Sequence, residues 1–135
     1  MKARIALALM ASTWVMPAQT PFDPKLATRS VDGGVLYAAH CEVCHGRGGT
    51  GNGPMADAMK KPVPDLTLLA RRNHGAFPLD RVQKVIDGTS DPDVISHGTR
   101  QMPVWGPIFS SDMGERDLGK LRIFNLARYV EKMQK

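Results

Sequence analysis

Cys41-Glu42-Val43-Cys44-His45 decides how the rest of this chain is read. Two cysteines separated by two residues and followed by histidine form the pattern of a covalent c-type haem attachment site. Positions three apart share one face of a helix, so both sulfurs can reach the vinyl groups along one porphyrin edge. His45 can then bind the iron from one side of the ring. What this pattern leaves open is the group on the other side of the iron.

Outward from the pattern, the flanking segments are short and broken by turns. Val31 to Cys44 reads as a helix with Ser30 as its cap. Gly46 to Gly53 holds five glycines in eight residues and reads as a loop. Pro54 can open a short helix through Lys60 that puts Met55 and Met59 on one face. Leu66 to Arg72 reads as another short helix and Asn73 to Pro78 as a loop. Leu79, Val82 and Ile86 recur at helical spacing, with Pro78 before them and Gly88 just past them. Thr89 to Ser111, with Pro92, Pro103 and Pro107, reads mostly as loop. Asp112 and Glu115 are spaced as a capping box for a C-terminal helix whose apolar face carries Ile123, Leu126, Ala127 and Val130. The pattern contains no convincing strand, repeat or low-complexity tract, so the class is all-α. Long loops are uncommon in a small domain unless they serve a function, and wrapping a cofactor is one.

Length and charge bound the rest. The chain has 135 residues and a formal charge of +5, which suits one domain. Lys2 and Arg4, the largely apolar run Ile5 to Met16 and Pro17-Ala18 have the layout of a secretory signal peptide over residues 1–18. A buried N-terminal helix or a retained anchor is the alternative. Its removal would take Lys2 and Arg4 with it and leave a charge of +3. Residues 19–29, with Pro21 and Pro24, read as an extended arm, leaving 30–135 as the domain. Both cysteines belong to the one pattern, so none remains for a disulfide. No basic cluster with interleaved aromatics points to nucleic acid. Export and haem attachment together indicate a periplasmic protein.

The second ligand is sought among eight methionines and four histidines. Met102 stands in Arg100-Gln101-Met102-Pro103-Val104-Trp105-Gly106, where Pro103 stiffens the backbone directly behind it. That loop can hold a thioether over the iron, and Met102 is the expected ligand. Met55 and Met59 read as packing residues. His40, next to Cys41, is expected to point away from the ring; His74 reads as a loop residue, and His97 is the rival to Met102. Arg100 can pair with a haem propionate through its planar fork or stand solvated in the loop. Trp105 can cover the haem with its indole N–H near a propionate or serve as a core residue.

The coincidence of these features resembles the bacterial mono-haem class I cytochromes c over most of residues 30–133. The resemblance implies three to five helices wrapped around one covalent haem c with long loops. It assigns Gly33 and Tyr37 to contact with the C-terminal helix, where Leu126 and Tyr129 match the family's leucine and aromatic. It makes Pro54 the residue whose carbonyl accepts the ring N–H of His45, and Met102-Pro103 the axial methionine and its proline. Pro64-Asp65-Leu66-Thr67 resembles a haem-packing strip in which Leu66 contacts the ring; alternatively Leu66 is a core leucine. The implied function is one-electron transfer between redox partner proteins, periplasmic or membrane-bound oxidoreductases. In that reading the protein is not itself an enzyme, although it could be a haem subunit of a larger oxidoreductase complex. A displaceable Met102 would instead give a gas- or peroxide-binding sensor or enzyme. A Cys-x-x-Cys without haem would suit zinc or disulfide exchange.

Overall fold

The computed structural model describes residues 29–89, 102–111 and 116–135. Within them are six α-helical segments, two 3-10 turns and no strand. Three α segments have eight residues or more: α1 (Gly33–His40), α4 (Leu79–Asp87) and α6 (Arg116–Glu131). The shorter ones are α2 (Glu42–His45), α3 (Leu69–Arg72) and α5 (Trp105–Phe109). The fold is the all-α cytochrome c-like one. The segments outnumber the expected three to five because the first helix is split and a turn of helix forms inside the Met102 loop.

The split corrects the helix expected over Val31 to Cys44. Asp32, not Ser30, caps α1: its carboxylate accepts the Val35 N–H at 2.9 Å. Ser30 acts one step earlier, its hydroxyl oxygen accepting the Asp32 N–H at 3.0 Å. Asp32 is preferred because the cap residue must hold extended dihedrals while its side chain meets a free N–H of the first turn. At Cys41 the backbone turns (φ −112°) and α2 starts on a new course.

The core lies where α1 and α6 cross. A Cβ on Gly33 would come within 2.2 Å of the Asn125 carbonyl oxygen, so only glycine allows this approach. Asn125 Nδ2 donates to the Val31 carbonyl at 2.7 Å and fixes the same crossing. Leu36, Tyr37, Ile123, Leu126, Ala127 and Val130 fill it, all buried. A leucine fully removed from water contributes about 1.5–3 kcal/mol relative to an exposed one. The Tyr37 and Tyr129 rings meet at 5.4 Å, tilted by 42°.

α4 and α5 pack against the other side of α6. α4 starts after Pro78 and ends on left-handed Gly88, as the sequence leads one to expect. A Cβ on Gly106 would lie 2.1 Å from Asp87 Oδ1, so α5 sits directly on the end of α4. Arg122 joins these pieces from within the apolar stripe of α6. It is 3% exposed, and its guanidinium donates to the carbonyls of Phe109 (2.7 Å), Arg29 (3.1 Å) and Ser30 (3.3 Å). Other expectations for residues 1–28, 90–101 and 112–115 lie outside the described residues; these include the leader and the Asp112/Glu115 box.

Candidate haem site

The Cys-x-x-Cys-His turn is built almost wholly from local backbone bonds. Cys44 N–H and His45 N–H both reach the Cys41 carbonyl, at 3.2 and 2.8 Å. The glycine loop then folds back, with Gly51 N–H on His45 O at 2.8 Å and Gly53 N–H on Cys44 O at 3.0 Å. Leu66 N–H bonds to Gly49 O at 2.7 Å and brings the Pro64–Thr67 strip across the loop. Tyr37 Oη donates to the Gly46 carbonyl at 2.7 Å, tying this turn to the helix crossing.

His45 is buried, and its Nδ1 lies 3.4 Å from the Pro64 carbonyl oxygen. With the proton on Nδ1, the ring donates a long hydrogen bond there and leaves Nε2 for a metal. Burial lowers the pKa of this imidazole, and the Pro64 bond opposes that shift. The carbonyl expected from Pro54 is therefore supplied by Pro64. Pro54 is exposed because its two neighbours hold it against the outer side of α2, Gly53 N–H on Cys44 O and Met55 N–H on Val43 O at 2.9 Å.

Beside His45 are two cavities of about 350 and 360 Å³, both lined by Cys41, His45, Pro64 and Met102. The first is lined also by Leu66, Val82, Ile86 and Leu126 and by Arg72, Asn73 and Arg81. The second is the one that includes Cys44, and it adds His40, Met59, Lys61, Pro103 and Trp105. The donor set fits a c-type haem: two free sulfurs from one turn, an imidazole with an unused nitrogen, and a thioether on the same apolar space.

The structure thus brings together Cys41, Cys44, His45, Met102, Leu66 and Trp105. Leu66 lines the first cavity and Trp105 the second. Arg100 and His97 lie outside the described residues. Met55 is exposed, so it does not share the inward face of Met59; the helix expected from Pro54 shrinks to a 3-10 turn over Ala56–Ala58. His74 is exposed, at a positive φ of 55°.

His40 departs from expectation. Its ring lies against Trp105 (centroids 4.9 Å) and Phe109 (5.6 Å) and lines the second cavity. Its Nε2 is buried without a hydrogen-bond partner among the described residues. The break at Cys41 ends α1 on His40 and alters the course of the chain, which a continuous helix would not do. The sequence reading also missed Gln134. Its amide accepts the Ala70 N–H at 2.9 Å and donates to the Leu66 and Val130 carbonyls at 2.8 and 2.9 Å, clamping the strip to α6. No spacing rule announces such a contact.

Burial pushes the Cys41 thiol up to about 12. As a free thiol it would stay protonated at neutral pH, which is unlike the thiolate of a disulfide-exchange site. Among the described residues no group of three His, Cys, Asp or Glu side chains converges to hold a metal ion, as structural zinc would need. Nor is any described helix long and apolar enough to cross a membrane.

A family model described as cytochrome C oxidase, cbb3-type, subunit III matches residues 29–124. No match was found among curated proteins or solved structures.

Proposed function

The chain belongs to the cytochrome c oxidase, cbb3-type, subunit III family, and from that premise we propose that it is a periplasmic one-electron carrier with a single haem ligated by His45 and Met102. The observation that carries this reading is the shared lining of the two cavities: Cys41, His45 and Met102 border both. The haem, when bound, supplies an iron that cycles between Fe(III) and Fe(II).

The chain's residues have distinct tasks. Cys41 and Cys44 anchor the group through two thioethers. The Pro64 carbonyl orients His45, the kind of outer partner that fixes a ligand's ring and raises its basicity. Met102 would supply the second ligand from the shared lining of the two cavities, and His/Met ligation would raise the potential of the couple. Leu66, Val82, Ile86 and Leu126 keep water from the ring. No general acid, base or nucleophile is needed for this task. The leader-like residues 1–18 support export to the compartment where such haems are attached. The family match supports membership of an oxidoreductase complex.

The test is the optical spectrum of the reduced protein with and without carbon monoxide. The wild type is expected to show no change. Met102→Ala should keep its covalent haem, seen by mass, and bind carbon monoxide readily. Complete and rapid binding by the wild type would overturn the carrier reading in favour of a sensor or enzyme. An unchanged ligand spectrum in Met102→Ala would overturn the role of Met102.

A further inference from the structure

We infer that Arg72, Asn73 and Arg81 form the seat of the haem propionates, an inference that rests on the haem reading above. The first cavity is apolar over most of its wall and has these three side chains in its lining, whereas none of them lines the second. Among the described residues no acidic side chain lines it. Tyr37 Oη, which also lines it, spends its single O–H on Gly46 O, and His45 Nδ1 faces Pro64 O. Arg72 and Asn73 each keep N–H groups beyond the one they give to a backbone carbonyl. Two guanidinium groups on the wall of an apolar slot call for a ligand that is apolar over most of its body and carries an anionic group.

Covalent chemistry decides which end that is. The vinyl groups and the two carboxylates of a haem lie on opposite edges of the macrocycle. The second cavity contains Cys44 and therefore keeps the vinyl edge. The first touches Cys41 but not Cys44, and it is the cavity lined by both arginines. Lys61 and Trp105 line the cavity of the sulfur edge. Trp105 is then a cover over the ring, and the propionates are held by Arg72, Asn73 and Arg81.

The local structure prepares these donors. Arg72 ends α3, and its Nη1 rests 3.3 Å from the Asp65 carbonyl oxygen. Asn73 is held by its Nδ2 on the Ala76 carbonyl at 2.8 Å. Arg81 projects from the first turn of α4. A planar guanidinium can meet a carboxylate with two parallel hydrogen bonds, which lysine cannot match.

The test compares full-length holoprotein carrying Arg72→Gln with Arg81→Gln against Lys61→Gln. Mass reads haem attachment, resonance Raman reads the propionate bending band, and voltammetry reads the potential. In the double variant the haem mass is unchanged, the band shifts and the potential falls, because two positive charges near the reduced centre are gone. Lys61→Gln leaves the band in place. Arg81→Lys restores the potential more than the band. If the double variant does not fold, Arg81→Gln alone is expected to show a smaller shift of the same band. An unmoved band in the haem-bearing arginine variant, or a shift produced by Lys61→Gln instead, overturns the assignment. A wild-type chain without covalent haem overturns the underlying haem reading instead.

Discussion

The two walls of the haem slot are made in different ways. The His45 wall is mostly local: residues 41–53 are knitted by backbone bonds among themselves. The Pro64–Thr67 strip, clamped to α6 by Gln134, returns to them through Leu66 N–H on Gly49 O and the Pro64 carbonyl beside His45 Nδ1. The Met102 wall is assembled at a distance. Residues 102–110 rest on the end of α4 at Asp87, on α6 and on the guanidinium of Arg122. Local bonds re-form whenever the turn forms, whereas distant contacts exist only once the whole domain has closed. The His45 wall should therefore keep its geometry under stress that releases the Met102 wall.

Arg122 is the strongest point at which to break that comparison. Its three carbonyl partners join α5, α6 and the arm before α1. Arg122→Met keeps much of the side-chain volume but leaves those carbonyls without their charged donor. The expected loss is about 3 kcal/mol of stability, read by denaturant unfolding of the holoprotein. The loss should fall unevenly. On the proposed His45/Met102 ligation, the haem should stay attached and held by His45, while carbon monoxide gains access on the Met102 side. A variant that is destabilised yet remains closed to carbon monoxide would show that the two walls open together.

The same division explains what the sequence disclosed. Much of the local structure was legible: the haem-attachment pattern at Cys41–His45, the boundaries of α4, and the helical register of α6. The Ser30 cap and the helix from Pro54 to Lys60 were not, because Asp32 takes the cap and only a 3-10 turn forms over Ala56–Ala58. Gly33 and Tyr37 were legible through resemblance, and the crossing of α1 with α6 places them there. Arg122 was not legible, because a lone charge in an apolar stripe is ordinarily assigned to solvent. Its partners are carbonyls, and carbonyls leave no mark in a sequence. The Pro54 expectation failed for a related reason. Pro54, Pro62 and Pro64 all follow His45, and the fold of the glycine loop determines which carbonyl returns to the imidazole. That choice depends on Gly51 N–H meeting His45 O and Leu66 N–H meeting Gly49 O.

Tyr37 sharpens the comparison from the other side, since it is where the local wall is tied to the helix crossing. Its hydroxyl is buried and donates to the Gly46 carbonyl, one residue past His45. Tyr37→Phe keeps the ring in the core and deletes only that bond. The expected cost is about 1 kcal/mol, measured by equilibrium unfolding. The optical spectrum should be unchanged with and without carbon monoxide, because neither wall depends on this bond alone. A loss matching that of Arg122→Met would show that the local wall leans on the core as heavily as the distant one does.

The smallest effect is expected at Asp65, wholly within the His45 wall. Its carboxylate accepts from the Thr67 hydroxyl at 2.6 Å and the Thr67 N–H at 2.8 Å, capping the turn that carries Leu66. The Thr67 side-chain bond, then its backbone bond, hold this carboxyl below its ordinary pKa. A carboxyl with a depressed folded pKa contributes stability that is present above its unfolded pKa and is lost as pH falls through the folded value. Asp65→Asn keeps an acceptor oxygen and removes the charge. It should flatten the acid limb of stability against pH, change neutral-pH stability less than Tyr37→Phe does, and leave the Met102 side closed to carbon monoxide. An acid limb identical to that of the wild type would mean that other carboxylates govern acid unfolding. The cap would then act through geometry alone, as a neutral asparagine can at the start of a helical turn.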